Sequence, residues 1–127
     1  MADNQKYFYP RSKIWLEDQD HNLVFAMGRL YILESTQEYG SLSAAAKELK
    51  MGYRAVWGKV SASEERLGKQ LLIRKAGGSS GGGSQLTPFA ENLINDFKLI
   101  NKKIESETNN QIQKLINNDL LINIQSK

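Results

Sequence analysis

Residues 40–87 read GSLSAAAKELKMGYRAVWGKVSASEERLGKQLLIRKAGGSSGGGSQLT, and this stretch decides the fold. Ser43 is a residue type that caps helices, because its hydroxyl can accept from a first-turn N–H that has no helical partner. A short helix is expected over Ala44–Leu49. Its three consecutive alanines carry little bulk, so a second helix can cross closely. Met51-Gly52 reads as a turn. The next helix is expected from Tyr53 to about Leu67, with Gly68 as its stop. At 100° per residue Val56, Val60 and Leu67 fall within about 40° of arc, which makes a buried stripe. Ser63 lies on the same stripe as a polar misfit. Leu71-Leu72-Ile73 reads as a strand. Ala76 to Ser84 holds five of the ten glycines and reads as a loop, with Gln85-Leu86 as the return strand. The order helix, turn, helix, strand, loop, strand predicts a winged helix-turn-helix, mainly α with small β elements. Such a fold projects one helix and one loop, the geometry that reads duplex DNA.

Upstream, Lys13 to Phe25 reads as a hairpin. Ile14-Trp15-Leu16 and Leu23-Val24-Phe25 flank the turn-rich Asp18-Gln19-Asp20-His21-Asn22. His21 is read as an exposed turn residue. A helix follows from Gly28 to about Tyr39, and Gly40 ends it. Downstream, Thr87-Pro88 is a helix start, with threonine as cap and proline at the first helical position. That helix has an apolar seam at Phe89, Leu93, Phe97, Ile100 and Ile104. Asn109-Asn110 is expected to break it before a last amphipathic stretch with Ile112, Leu115, Ile116, Leu120 and Ile122. The seam is longer than so small a domain needs for its own core. Part of it is therefore expected to face a second copy. The expected organisation is a flexible tail over 1–12, the winged helix-turn-helix over 13–87, and a helical dimerisation segment over 88–127.

Composition narrows the function classes. Forty per cent apolar residues supports a compact core. No run of about 18 apolar residues is present, so no membrane span is expected. The absence of cysteine excludes disulfides, thiolate metal sites and cysteine nucleophiles, and it fits a cytoplasmic protein. A single histidine argues strongly against a His-rich metal site or a histidine-based triad. No metal or cofactor is expected. The net charge of +3 is unevenly spread. Residues 1–52 carry six basic and seven acidic side chains, and residues 76–127 carry five of each. Residues 53–75 carry Arg54, Lys59, Arg66, Lys69, Arg74 and Lys75 against Glu64 and Glu65. The excess thus sits on the second helix of the motif and the strand after it, where it suits a polyanion better than a merely solvated face.

The face of the Tyr53 helix opposite its buried stripe holds Arg54, Gly58, Ser61 and Glu65. Arg54 can fork onto guanine O6 and N7. Gly58 leaves the face without a side chain, either for close approach of DNA or for packing within the protein. Tyr53 and Trp57 lie on a flank. They can touch thymine methyls or sugar-phosphate, or Trp57 can wedge between helices. The glycine-rich run contains no G-x-G-x-x-G and is followed by no Lys-Ser/Thr pair, so it is not a nucleotide loop. It reads as a wing whose backbone and serines, Ser79 and Ser80 among them, settle on phosphates. Arg74 and Lys75 stand at its base. Ser43, at a helix N-terminus, is a further phosphate contact, as is Lys59.

Gly40-Ser41-Leu42-Ser43-Ala44-Ala45-Ala46 and Ala55-Val56, with Leu67-Gly68, Leu71, Arg74 and Leu86-Thr87, resemble the DNA-binding domain of LysR-type regulators. Three features resemble more closely the N-terminal domain of molybdate-responsive ModE-type repressors. These are the hairpin before the first helix, Tyr53 followed by a basic residue with Trp57 four on, and the glycine-rich wing before Leu-Thr. The resemblance covers about Lys13 to Ile104. It implies a homodimeric regulator in which the helix from Pro88 pairs with its mate and the recognition helices enter successive major grooves. The sequence departs from the ModE pattern after Thr87. About forty residues follow where ModE-type proteins carry tandem molybdate-binding domains, and no oxyanion site is assigned.

The expectation is a homodimeric, double-stranded-DNA-binding transcription regulator. The rival from another class is an adaptor that uses the winged-helix surface for a protein partner, with little DNA affinity at any salt. An enzyme has little support, because no Ser/His/Asp set or metal-ligand spacing is present.

Overall fold

The computed structural model of the chain describes residues 6–78, 81–117 and 125. It has two compact units. One is Ile14–Asp96, and the other joins the residues before Ile14 to those from Phe97 onward.

The Ile14–Asp96 unit opens with an antiparallel hairpin of β1 (Trp15–Glu17) and β2 (Leu23–Ala26). Its turn is built on Asp18, whose Oδ1 accepts from the N–H groups of Asp20 and Asn22 at 2.9 and 3.0 Å. His21 is exposed there, with a φ of 66°. Helix α1 (Met27–Tyr39) follows and ends on Gly40 at φ 88°, a left-handed conformation that glycine adopts without penalty.

Helix α2 spans Leu42–Glu48, and its cap is Ser41, not Ser43. The Ser41 hydroxyl accepts from Ala44 N–H at 3.0 Å. Leu42 decides between the two serines: it is buried, so the first turn has to include it, and Ser43 is left inside the helix on the exposed side. The expected Met51-Gly52 turn is also corrected. Lys50 takes the left-handed conformation, at φ 56°, while Gly52 is extended and caps α3 (Tyr53–Leu67). Gly68, at φ 66°, ends α3 as expected.

Phe25, Leu30, Leu33, Leu42, Val56, Val60 and Leu71 form the core, and Ala45 and Ala46 are buried among them. Full burial of each large side chain contributes about 1.5–3 kcal/mol. Ser63 is no misfit. Its hydroxyl donates to Val24 O and accepts from Arg29 Nη1 at 2.8 Å. Arg29 is itself buried and also donates to Leu23 O at 3.1 Å, and Arg66 donates to the same carbonyl. Burial, and then the positive charge of Arg66, push the Arg29 guanidinium below its usual pKa. Long-range hydrogen bonds thus tie the first hairpin to α3.

The second hairpin extends further than expected. Strands β3 (Leu72–Gly78) and β4 (Gly81–Leu86) carry antiparallel pairing into the glycine run that reads as a loop. A backbone ladder needs no side chains, and the register is anchored at the base, where Leu72 faces Leu86 and both are buried. Glu64 Oε2 fixes that base by accepting from the N–H groups of Leu71 and Leu72 at 2.9 and 3.3 Å. Ser79 and Ser80 lie outside the described residues.

Thr87 caps α4 (Pro88–Gln111), accepting from Ala90 N–H at 3.1 Å and donating to Gln70 O at 2.8 Å. Asn109-Asn110 does not break this helix, which continues into a π-helical turn, Ile112–Asn117. Asparagine lowers helix propensity by at most about 0.7 kcal/mol relative to alanine, too little to stop a long helix. Leu120 and Ile122 lie outside the described residues. The apolar seam of α4 is split. Phe97 is buried, at 5% exposure, in line with Ala90 and Ile94, whereas Phe89, Ile100 and Ile104 stay open on the adjoining stripe, Ile100 at 51%. In the unit that contains Phe97, Gln125 N–H bonds to Phe8 O at 2.8 Å, Pro10 is buried, and the Arg11 guanidinium stands 5.6 Å from the Tyr9 ring centre. Among the described residues no helix is long and apolar enough to cross a membrane.

Candidate nucleic-acid interface

Two neighbouring features make the candidate interface. The first is the open face of α3. Val56, Val60 and Ser63 turn inward, which leaves Arg54, Gly58, Ser61 and Glu65 on the opposite side of a 3.6-residue helix. Tyr53 is 50% and Trp57 47% exposed, so Trp57 is not a wedge buried between helices. Gly58 has no packing reason to be glycine: a Cβ there would meet nothing within 4 Å. The first turn of α3 carries no acidic residue, so the partial positive charge of its N-terminus is not neutralised locally.

The second feature is a cavity of about 280 Å³ lined by Ser41, Leu42, Ser43, Tyr53, Arg74, Lys75, Gly83 and Ser84. It gathers residues from the start of α2, the start of α3 and both strands of the second hairpin. Arg74 and Lys75 are exposed in β3, directly across from Ser84 and Gly83. The cavity thus collects two cations, three serines and a phenol, the donors that phosphate oxygens take.

Four residues expected from the sequence meet in this cavity: Ser43, Tyr53, Arg74 and Lys75. Arg54, Trp57 and Ser61 belong to the open face of α3. Lys59 joins neither group. It is exposed on the other flank of α3, one heptad from Arg66 and in line with it. Sequence reasoning missed Ser41, Leu42, Gly83 and Ser84. The burial of an apolar Leu42 was the available signal for Ser41, and the strand pairing opposite Arg74 was the one for Ser84. A larger cavity of about 630 Å³ has Glu34, Glu38 and Glu91 in its lining. Its three carboxylates disfavour a polyanion, so size does not choose the site here.

Comparison with known proteins fits this geometry. The model of bacterial regulatory helix-turn-helix proteins of the lysR family matches residues 27–91. The transcriptional regulator ModE of Haemophilus influenzae is 35% identical over 77 residues, covering 61% of this chain and 30% of that protein. The molybdenum transport protein ModE of Azotobacter vinelandii is 26% identical over 98 residues, covering 77% and 36%. This chain spans roughly a third of the length of these curated relatives. Among solved structures, the CbnR_DBD–DNA complex superposes with a TM-score of 0.53 at 22% identity, over 71% of this chain and 97% of that one. At that identity the likeness establishes the fold. With half of its length matched to the family model, and the helices, caps and hairpin of that motif in place, this chain belongs to the lysR family of bacterial regulatory helix-turn-helix proteins.

Proposed function

We propose that the chain is a sequence-specific, double-stranded-DNA-binding transcription regulator that works as a homodimer. Helix α3 enters the major groove, with Tyr53, Arg54, Trp57 and Ser61 toward base edges. Ser43, Arg74, Lys75 and the second hairpin rest on phosphates, and Lys59 adds a cation on the outer flank. The observation that carries this reading is that Tyr53, which lines the cation-rich cavity, directly precedes Arg54 on the open face of α3, so the two features adjoin. One duplex laid across both meets base-reading and phosphate-anchoring groups together. The fold likeness to a protein solved in complex with DNA supports it. For the dimer, support comes from the open stripe of Phe89, Ile100 and Ile104, with Leu93 half-buried beside them. Phe97 is already buried in the single chain and is not part of that surface. Burying the stripe across a two-fold axis would set two recognition helices about 34 Å apart, one turn of DNA, on an approximately palindromic site.

Selection of bound sequences from random duplexes tests the reading. Affinity for the selected site should fall with salt, by about 0.9 in log K per log salt for each phosphate neutralised. Arg54→Ala should lose about 1–3 kcal/mol of discrimination between the selected and a scrambled site. Ile100→Asp with Ile104→Asp should sediment as a monomer and bind far more weakly. A flat salt response overturns the proposal, and a parallel loss on both duplexes removes the base-reading role of Arg54.

A further inference from the structure

Beyond its base, the second hairpin makes a backbone contact outside its own ladder. Ser84 N–H donates to Gly40 O at 2.9 Å, across to the residue that ends α1. Ser84 faces Arg74 in the register, and Gly83 faces Lys75. A Cβ on Gly83 would stand 3.0 Å from that same Gly40 O. Gly40 has little room to yield, since its φ of 88° is set by the helix end and its own N–H is bonded to Thr36 O at 2.9 Å. Glycine at position 83 is therefore what lets β4 come close enough for the bond.

We propose that this Gly40–Ser84 clasp, made possible by Gly83, is a positioning device that sets the cationic strand β3 against the helix-turn-helix. The inference rests on the DNA-binding reading and extends it to the residues that give the interface its shape. Without the clasp, the hairpin is held by its base at Leu72 and Leu86, with Leu72 two and three residues before Arg74 and Lys75. With it, the partner strand is pinned directly opposite those two cations, at the wall of the cavity that also contains Ser43 and Tyr53. The clasp should therefore act on phosphate anchoring and leave the choice of bases alone.

The test uses the full chain with Gly83→Ala, and with Gly28→Ala in α1 as a folding control because a Cβ at 28 meets nothing and the position lies outside the candidate interface. Amide hydrogen exchange should show Ser84 protected in the unmodified chain and unprotected in Gly83→Ala, with the helices unchanged. Affinity for the selected duplex should fall about tenfold, as expected when charge-assisted contacts are misplaced, and the salt slope should shrink by about two phosphates' worth. The loss should not add to that of Arg74→Ala with Lys75→Ala, a result that general destabilisation would not give. If Gly83→Ala fails to fold, Ser84→Pro breaks the bond by replacing the donor N–H with a ring carbon facing Gly40 O, proline is tolerated on an edge strand, and duplex affinity is then the readout. Wild-type affinity in a variant with an unprotected Ser84, or fully additive losses, would overturn the positioning role. An unprotected Ser84 amide in the unmodified chain would overturn the clasp itself. A protected Ser84 in a chain that binds no duplex would sustain the clasp and overturn the DNA reading.

Discussion

The two hairpins of this chain are held in opposite ways. The first is fastened by side chains. Asp18 closes its turn, while Arg29, Ser63 and Arg66 converge on the carbonyls of Leu23 and Val24. The second contains five glycines and, beyond its base, is tied to the helix-turn-helix by a backbone bond from Ser84 to Gly40. The first hairpin thus braces α3 from the inside, and the second leaves Arg74 and Lys75 in solvent. On the proposed reading, stability and recognition are divided between two elements of similar size. The division follows from chemistry: the buried Arg29 guanidinium turns its Nη1 to Ser63 and the hairpin carbonyls, although its Nε finds no partner, whereas exposed cations keep their donors for a partner.

The division can be broken most directly at Arg29. Arg29→Ala removes a buried donor shared by Ser63 and two carbonyls, and should destabilise the fold by about 2–3 kcal/mol in urea unfolding. A change under about 0.5 kcal/mol would mean that the first hairpin is not the brace. A smaller effect on the fold sharpens the other side. Arg74→Ala with Lys75→Ala should move unfolding by no more than about 0.5 kcal/mol while lowering affinity on selected and scrambled duplexes alike. Equal loss of stability and affinity would erase the distinction. The smallest effect concerns Asp18. Its carboxylate accepts the Asn22 backbone N–H above all, then the Asp20 N–H, which holds its pKa below the ordinary 3.8. A carboxylate with a lowered folded pKa stabilises the turn above the ordinary value and loses that contribution as pH falls through the folded one. A carboxyl titration by NMR should therefore place the Asp18 midpoint below 3.8, and a midpoint at or above it would show that the turn does not depend on the charge.

Sequence patterning revealed the parts that obey local rules. Gly40 and Gly68 end their helices in left-handed conformations, and Thr87-Pro88 starts one, because each choice is made within a turn of chain. The errors came where distant residues decide. Ser41 and Ser43 are equally able to cap, and the burial of Leu42 chooses between them. Ser63 and Arg29 are 34 positions apart, so no local pattern reveals that each satisfies the other. The glycine run hides a ladder because glycine gives no alternation to read. The candidate interface was half legible. Charge pointed to Arg74 and Lys75, and helix phase to Arg54 and Trp57. Ser84 bonds Gly40 through its backbone N–H, which carries no residue-type signal, and Gly83 matters through a missing Cβ that its place in a run of glycines hides.

Gly58 has a consequence of another kind. Glycine inside a helix forgoes about 1 kcal/mol relative to alanine, and here no neighbouring atom requires it. A side chain acquired at that position would project from the open face of α3 and disturb nothing in the core. Chains that differ only at residue 58 could therefore diverge in the sites they choose while keeping one fold, with no compensating change elsewhere. On the proposed DNA-binding reading, the position would be a free variable in the evolution of target preference, set apart from the residues that hold the protein together.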